Sequence, residues 1–120
     1  VEFPQKIFEL GKVTFPDENK ETRTRDEEWL AAVTAHPNAN FSEIKSAIDS
    51  FMSNFGVEWQ LKEATHPSFI EGRIGKILVN GAQIGIVGEI NPAVLEIWKL
   101  ENPVAAFELN FQTLAGTKLK

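Results

Sequence analysis

The dipeptide Asn80-Gly81 constrains this chain more than any other feature, because β-rich runs flank it on both sides. Ile74-Gly-Lys-Ile-Leu-Val79 precedes it and Ala82-Gln-Ile-Gly-Ile-Val-Gly-Glu-Ile90 follows. Asn and Gly tolerate positive φ at both central positions of a type I′ turn, so the two runs are expected to pair as an antiparallel hairpin. The register this turn predicts sets Val79 opposite Ala82 and Ile77 opposite Ile84, with these four side chains on one face. A lone hairpin is marginal in water, so more strands and a covering helix must accompany it.

The clearest helix runs from Phe41 to Phe55. Asn40 is placed to cap it, and Glu43 three residues later completes a capping-box pattern. Ile44, Ala47, Ile48, Phe51 and Phe55 form one apolar stripe, and Gly56 stands where a left-handed residue ends a helix. Asn91-Pro92 opens a second, short helix expected to bury Val94, Leu95 and Trp98. Further strands are predicted at Ile7-Phe-Glu-Leu-Gly-Lys-Val-Thr-Phe15, at Trp29-Leu-Ala-Ala-Val-Thr34 and from Val57 to about Ala64. A last strand is predicted at Val104-Ala-Ala-Phe-Glu-Leu-Asn-Phe111. The first two make a long hairpin around the charged tip Pro16-Asp-Glu-Asn-Lys-Glu21. The expectation is an α+β fold: one domain over residues 1–120, an antiparallel sheet of five or six strands, and two helices on one face.

Composition narrows the function classes. The 120 residues carry a net charge of −5, the wrong sign for a protein that grips nucleic acid over its whole surface. There is no Cys, which excludes disulfides and thiolate metal sites. The apolar runs fall far short of the roughly 20 residues that span a bilayer, and no signal peptide opens the chain, so it reads as cytosolic with no membrane partner. The only Met is Met52, and Val1 leads almost directly into a strand-like run, which reads as a fragment of a longer chain.

No complete catalytic constellation emerges from the residues. His36 and His66, the only histidines, lack partners in a metal-ligand pattern, which favours structural roles over metal or acid–base roles. Gly85-Ile-Val-Gly88 lies inside a predicted strand rather than at a strand-to-helix junction, so close packing or a bulge explains it better than a nucleotide loop. Thr22-Arg-Thr-Arg25 is a small basic spot beside Asp26, Glu27 and Glu28, read as a solvated hairpin stem, with a tRNA or phosphate contact as the alternative. Arg73 is placed to hold a carboxylate, with Glu71, Glu89 or a partner subunit as candidates. Glu9, Glu89 and Glu108 stand on strands with no spacing that makes two of them converge. The residues by themselves describe a binding or scaffolding domain.

Five stretches in order carry a resemblance. They are Phe3-Pro-Gln-Lys-Ile-Phe-Glu-Leu-Gly11, Asn40-Phe-Ser-Glu-Ile-Lys45, His66-Pro-Ser-Phe-Ile-Glu-Gly-Arg73, Ile84-Gly-Ile-Val-Gly-Glu-Ile-Asn-Pro-Ala-Val-Leu95 and Pro103-Val-Ala-Ala-Phe-Glu-Leu109. Together they resemble the C-terminal, synthetase-like module of the β subunit of phenylalanine–tRNA ligase of the archaeal and eukaryotic cytosolic type. The resemblance implies a class II aminoacyl-tRNA synthetase-like core within an α2β2 enzyme that joins phenylalanine to its tRNA using ATP and magnesium. It places catalysis in the α subunit and leaves this module an assembly role, with tRNA reached through the assembled enzyme.

The resemblance also implies that the module has lost its chemistry. Class II activation uses an arginine in a Phe-Arg-x-Glu strand, where this chain reads Phe8-Glu9-Leu10-Gly11, and a second arginine after a Gly-rich strand. Gly85-Ile-Val-Gly-Glu-Ile-Asn-Pro92 holds none. Removing one such preorganised donor lowers rate by about 10²–10³. No catalytic, cofactor-binding or metal residue is therefore assigned to this module. His66, Gly72, Arg73, Gly88, Glu89 and Pro92 match family motif positions and are expected to serve structure or an interface. The alternatives are a small-ligand domain for a nucleotide or amino acid, and an unrelated protein-interaction domain.

Overall fold

A computed structural model describes residues 5–21 and 24–118. Phe3, Pro4, Thr22 and Arg23, which enter the motifs above, lie outside the described residues. The order is β1 (Gln5–Pro16), β2 (Thr24–Ala35), α1 (Phe41–Phe55), β3 (Gln60–Glu63), β4 (Phe69–Val79), β5 (Ala82–Ile90), α2 (Pro92–Ile97), β6 (Val104–Asn110) and α3 (Phe111–Lys118). The six strands form one antiparallel sheet in the order β1-β2-β6-β5-β4-β3. Sheet class and strand number match the expectation, and a third helix is added to it.

The β4–β5 turn forms as Asn80-Gly81 demands, with φ of 52° and 81°. Val79 pairs with Ala82, but Ile77 pairs with Gly85 rather than Ile84. A bulge next to Ile84 shifts the register by one residue. Its physical reason lies in β6: a Cβ at position 85 would stand 2.1 Å from the Glu108 carbonyl and 2.8 Å from Leu109 Cα. Gly85 must therefore face this crossing, and the bulge lets Ile84 join the core as well. Ala82 does not share that burial; it is exposed at the hairpin end.

Cross-strand register sorts the sheet into two faces. One carries Leu30, Ala32, Thr34, Ala105, Phe107, Leu109, Val87 and Ile77, and α1 lies on it. Asn40 caps α1 by accepting from the Glu43 N–H at 2.9 Å, and Gly56 ends it at φ 79°. Ile44, Ile48 and Met52 are its most buried residues, so the stripe centres on an i, i+4, i+8 line that includes Met52, with Ala47, Phe51 and Phe55 flanking. Phe107, Ile48, Met52, Ile77, Leu109, Leu114 and Val87 are the largest fully buried side chains of this core.

α3 arises where a strand was expected to end. The Asn110 side chain accepts from the Thr113 N–H at 2.9 Å, a cap that turns the chain at Phe111. Leu114 then joins the α1 core, and the Phe111 ring meets that of Phe55 at 5.8 Å between centroids.

α2 corrects a second expectation. Its neighbours Val33, Ala35, Val104 and Ala106 belong to the opposite face, because they alternate with Ala32, Thr34, Ala105 and Phe107. The helices thus sit on both faces rather than one. β2 also starts earlier than predicted, and β3 is shorter, with Val57 and Trp59 packing on the core ahead of it. Because β6 covers only residues 29–35 of β2, residues 24–28 and their β1 partners project as a two-stranded arm.

Candidate functional site

Two regions concentrate the side chains of interest: a polar node at the α1 N-terminus and an apolar face around α2. The node holds most of the residues singled out in the sequence. Arg73 Nη1 donates to Glu89 Oε1 at 3.0 Å, which settles its carboxylate partner as Glu89 rather than Glu71. Glu89 Oε2 accepts the Phe41 N–H at 2.9 Å, so a strand carboxylate caps α1 from outside the helix. Gly88 is required by packing, since a Cβ there would lie 2.7 Å from the Arg73 carbonyl and from Phe69 Cδ1. Gly72 has φ 81°, a conformation suited to glycine, at the register shift of β4.

His66 and Pro92 stand beside this node. His66 Nδ1 accepts from the Ser68 N–H at 3.1 Å, and its ring meets Phe69 edge-on at 5.3 Å. The Asn91 N–H donates to the Ser68 carbonyl at 2.8 Å, which ties this loop to the start of α2, where Pro92 occupies the first turn. The glycines and His66 therefore have structural explanations in these contacts.

The other half of the node is built from residues that no sequence motif links. His36 Nε2 lies 2.7 and 2.8 Å from the two Glu43 oxygens, while its Nδ1 accepts from the Asn38 N–H at 3.2 Å. Buried Thr34 donates to the same Glu43 carboxylate. A strand-to-helix connection brings together residues 34, 36 and 43, and Asn40 and Glu43 were its only local signals. Both His36 nitrogens and both Glu89 oxygens have partners within the fold.

The remaining charged groups stay apart. Glu9 and Glu108 flank Ala31 in one cross-strand row, both exposed, with backbones about 10 Å apart by strand spacing. Arg25 sits over the Phe15 ring at 5.1 Å and pairs with Glu27 at 3.2 Å and Asp17 at 3.9 Å. Its own neighbours absorb its charge, as the sequence implied. Among the described residues no three His, Cys, Asp or Glu cluster as metal ligands, and no buried side-chain polar atom lacks a partner.

The α2 face is of another kind. α2 has no fully buried residue. Val94 and Leu95 are half-buried, but Trp98 is 70% exposed and Ile97 75%, which corrects the expectation that Trp98 would be buried. Leu100 is 46% exposed, and Lys99 between them adopts φ 57°, unusual for a residue with a side chain. Beneath α2 runs a groove of about 810 Å³ lined by apolar Val33, Ile90, Val94, Leu95, Val104 and Ala106, with polar Ser68, Glu101 and Asn102 also on it. A Trp flanked by Ile and Leu at the rim of an apolar groove has the composition of a protein-binding anchor.

Fold and site together define an α+β domain with one finished core, an occupied polar node and one exposed apolar face. Residues 2–111 match the family model described as "Phenylalanyl tRNA synthetase beta chain CLM domain", and the chain belongs to that family. Among similar proteins, the phenylalanine–tRNA ligase β subunit of Thermococcus onnurineus is 55% identical over 94% of this chain. That of Thermococcus kodakarensis is 56% identical over 90%, and that of Methanocaldococcus jannaschii 44% over 92%. The chain spans about a fifth of the length of these relatives. No helix among the described residues is long and apolar enough to cross a membrane.

Proposed function

We propose that the chain is a non-catalytic domain of a phenylalanine–tRNA ligase β subunit that holds the α2β2 assembly together. The observation that carries this reading is the α2 face, where Ile97, Trp98 and Leu100 are presented to solvent beside an apolar groove. Its partner is the catalytic α subunit, and the assembled cytoplasmic enzyme charges tRNA with phenylalanine. ATP and magnesium bind in that enzyme outside this domain. The six-stranded antiparallel sheet with flanking helices supports a degenerate class II synthetase-like core. Glu9 takes the place of the arginine that class II activation uses in its Phe-Arg-x-Glu strand, and Glu89 is committed to Arg73 and the α1 cap. Arg25 is held by Glu27 and Asp17, which supports contact with tRNA through the whole enzyme rather than through this stem.

The test is I97E/W98E in a full-length β subunit co-expressed with its α subunit. The expected result is a loss of subunit affinity of about 30-fold or more, the size of a hot-spot anchor, with the domain's unfolding midpoint unchanged. An undiminished heterotetramer would remove the assembly role from this face. Saturable micromolar binding of a non-hydrolysable phenylalanyl-adenylate analogue to the domain would favour the small-ligand alternative instead.

A further inference from the structure

The sheet has two outer strands, and they are protected differently. β3 is four residues long and carries Lys62 and Glu63, the short, charged form by which natural sheets discourage extra pairing. β1 is twelve residues long and pairs with β2 in unbroken register, from Gln5↔Ala35 to Pro16↔Thr24, with no bulge to twist its free side away. Among the described residues no strand lies on that free side. Antiparallel geometry turns the N–H and C=O of alternate residues outward, about six residues over this length.

Side chains on β1 also leave a core row unfinished. Leu10 pairs with Leu30, which pairs with Leu109, which pairs with Gly85. Exposure along that row climbs from 0% at Leu109 through 8% at Leu30 to 54% at Leu10. On the opposite face Val13 is 42% exposed, on the arm that projects past β6. Lys6, Glu9 and Lys12 place charge along the strand and Pro16 closes its distal end, but its length and unbroken register leave the edge open to pairing.

We infer that the outer edge of β1 receives an added β-strand from elsewhere in the longer β-subunit polypeptide. The strand is an extended segment with apolar residues opposite Leu10 and Val13. This rests on the reading that the chain works within a β subunit. Length favours a tethered strand: the chain spans about a fifth of its relatives, so most of such a subunit lies outside it. Area argues against a free second copy. One strand edge buries far less than the roughly 1,600 Å² typical of stable interfaces, whereas a tether raises the effective concentration to about the millimolar range. Main-chain hydrogen bonds then supply affinity, and Leu10 and Val13 select the apolar positions.

Residue-resolved amide hydrogen exchange, run on the 120-residue chain and on the full-length β subunit, tests the inference. The outward amides of Gln5–Pro16 should exchange on the order of 10²-fold more slowly in the full subunit, while those bonded to β2 match in both. Equal exchange of the outward amides would overturn the added strand. Protection in the isolated chain that grows with concentration as its mass doubles would assign the edge to a second copy and overturn it too. Co-purification of the I97E/W98E subunit with α reads the other interface separately, so either proposal can fail while the other stands.

Discussion

Both faces of the sheet carry aliphatic side chains, and they differ in how completely a helix covers them. Under α1, Phe107, Leu109, Ile77 and Val87 are at most 1% exposed and meet three fully committed helix residues. Under α2, no helix residue is fully buried, and a Trp and an Ile point outward at 70% and 75% exposure. A six-residue helix cannot close a six-stranded face, so apolar surface stays open around it. The first face makes the fold; the second is the one proposed to meet the α subunit.

Substitutions on the two faces should therefore separate stability from assembly. The largest effect is expected for Phe107→Ala, which opens a cavity in the centre of the α1 face and should lower unfolding free energy by about 3–5 kcal/mol in denaturant titration. Gly85→Ala follows: its methyl would meet backbone on β6 that has no room to yield. A loss of about 1–3 kcal/mol is expected, and wild-type stability would show that the bulge can absorb the clash. Glu89→Ala strips a cap from α1 and the partner from Arg73, for a loss of about 1–2 kcal/mol measurable by thermal unfolding. Trp98→Ala should be smallest, within about 0.5 kcal/mol of wild type. A large destabilisation there would erase the contrast between the faces.

Local signals were legible and relayed ones were not. Asn80-Gly81, Asn40, Gly56 and Asn91-Pro92 each fix a few residues of backbone by their own chemistry, and each does so here. The register of Ile77 was not legible, because the crossing of Gly85 over β6 is a contact between residues more than twenty apart. α3 was not legible because Leu114 is the one deeply buried residue among its described side chains and Gly116 interrupts its pattern. The side of the sheet that α2 takes was not legible, because Val94 and Leu95 suit either face. Of the site, Arg73 and Glu89 were legible, and their pairing was one of three candidates beside Glu71 and a partner subunit. The His36–Glu43–Thr34 contact was missed because a strand end and a helix start meet only after folding.

Hydroxyl-radical footprinting of the β subunit, alone and with its α subunit bound, tests the central claim most directly. Labelling of Ile97, Trp98 and Leu100 should fall sharply on assembly, while that of exposed Leu61 on the far edge of the sheet stays constant. Unchanged labelling of Trp98 in the assembled enzyme would contradict the account, because the exposed face would then have no partner in the complex it is proposed to hold together.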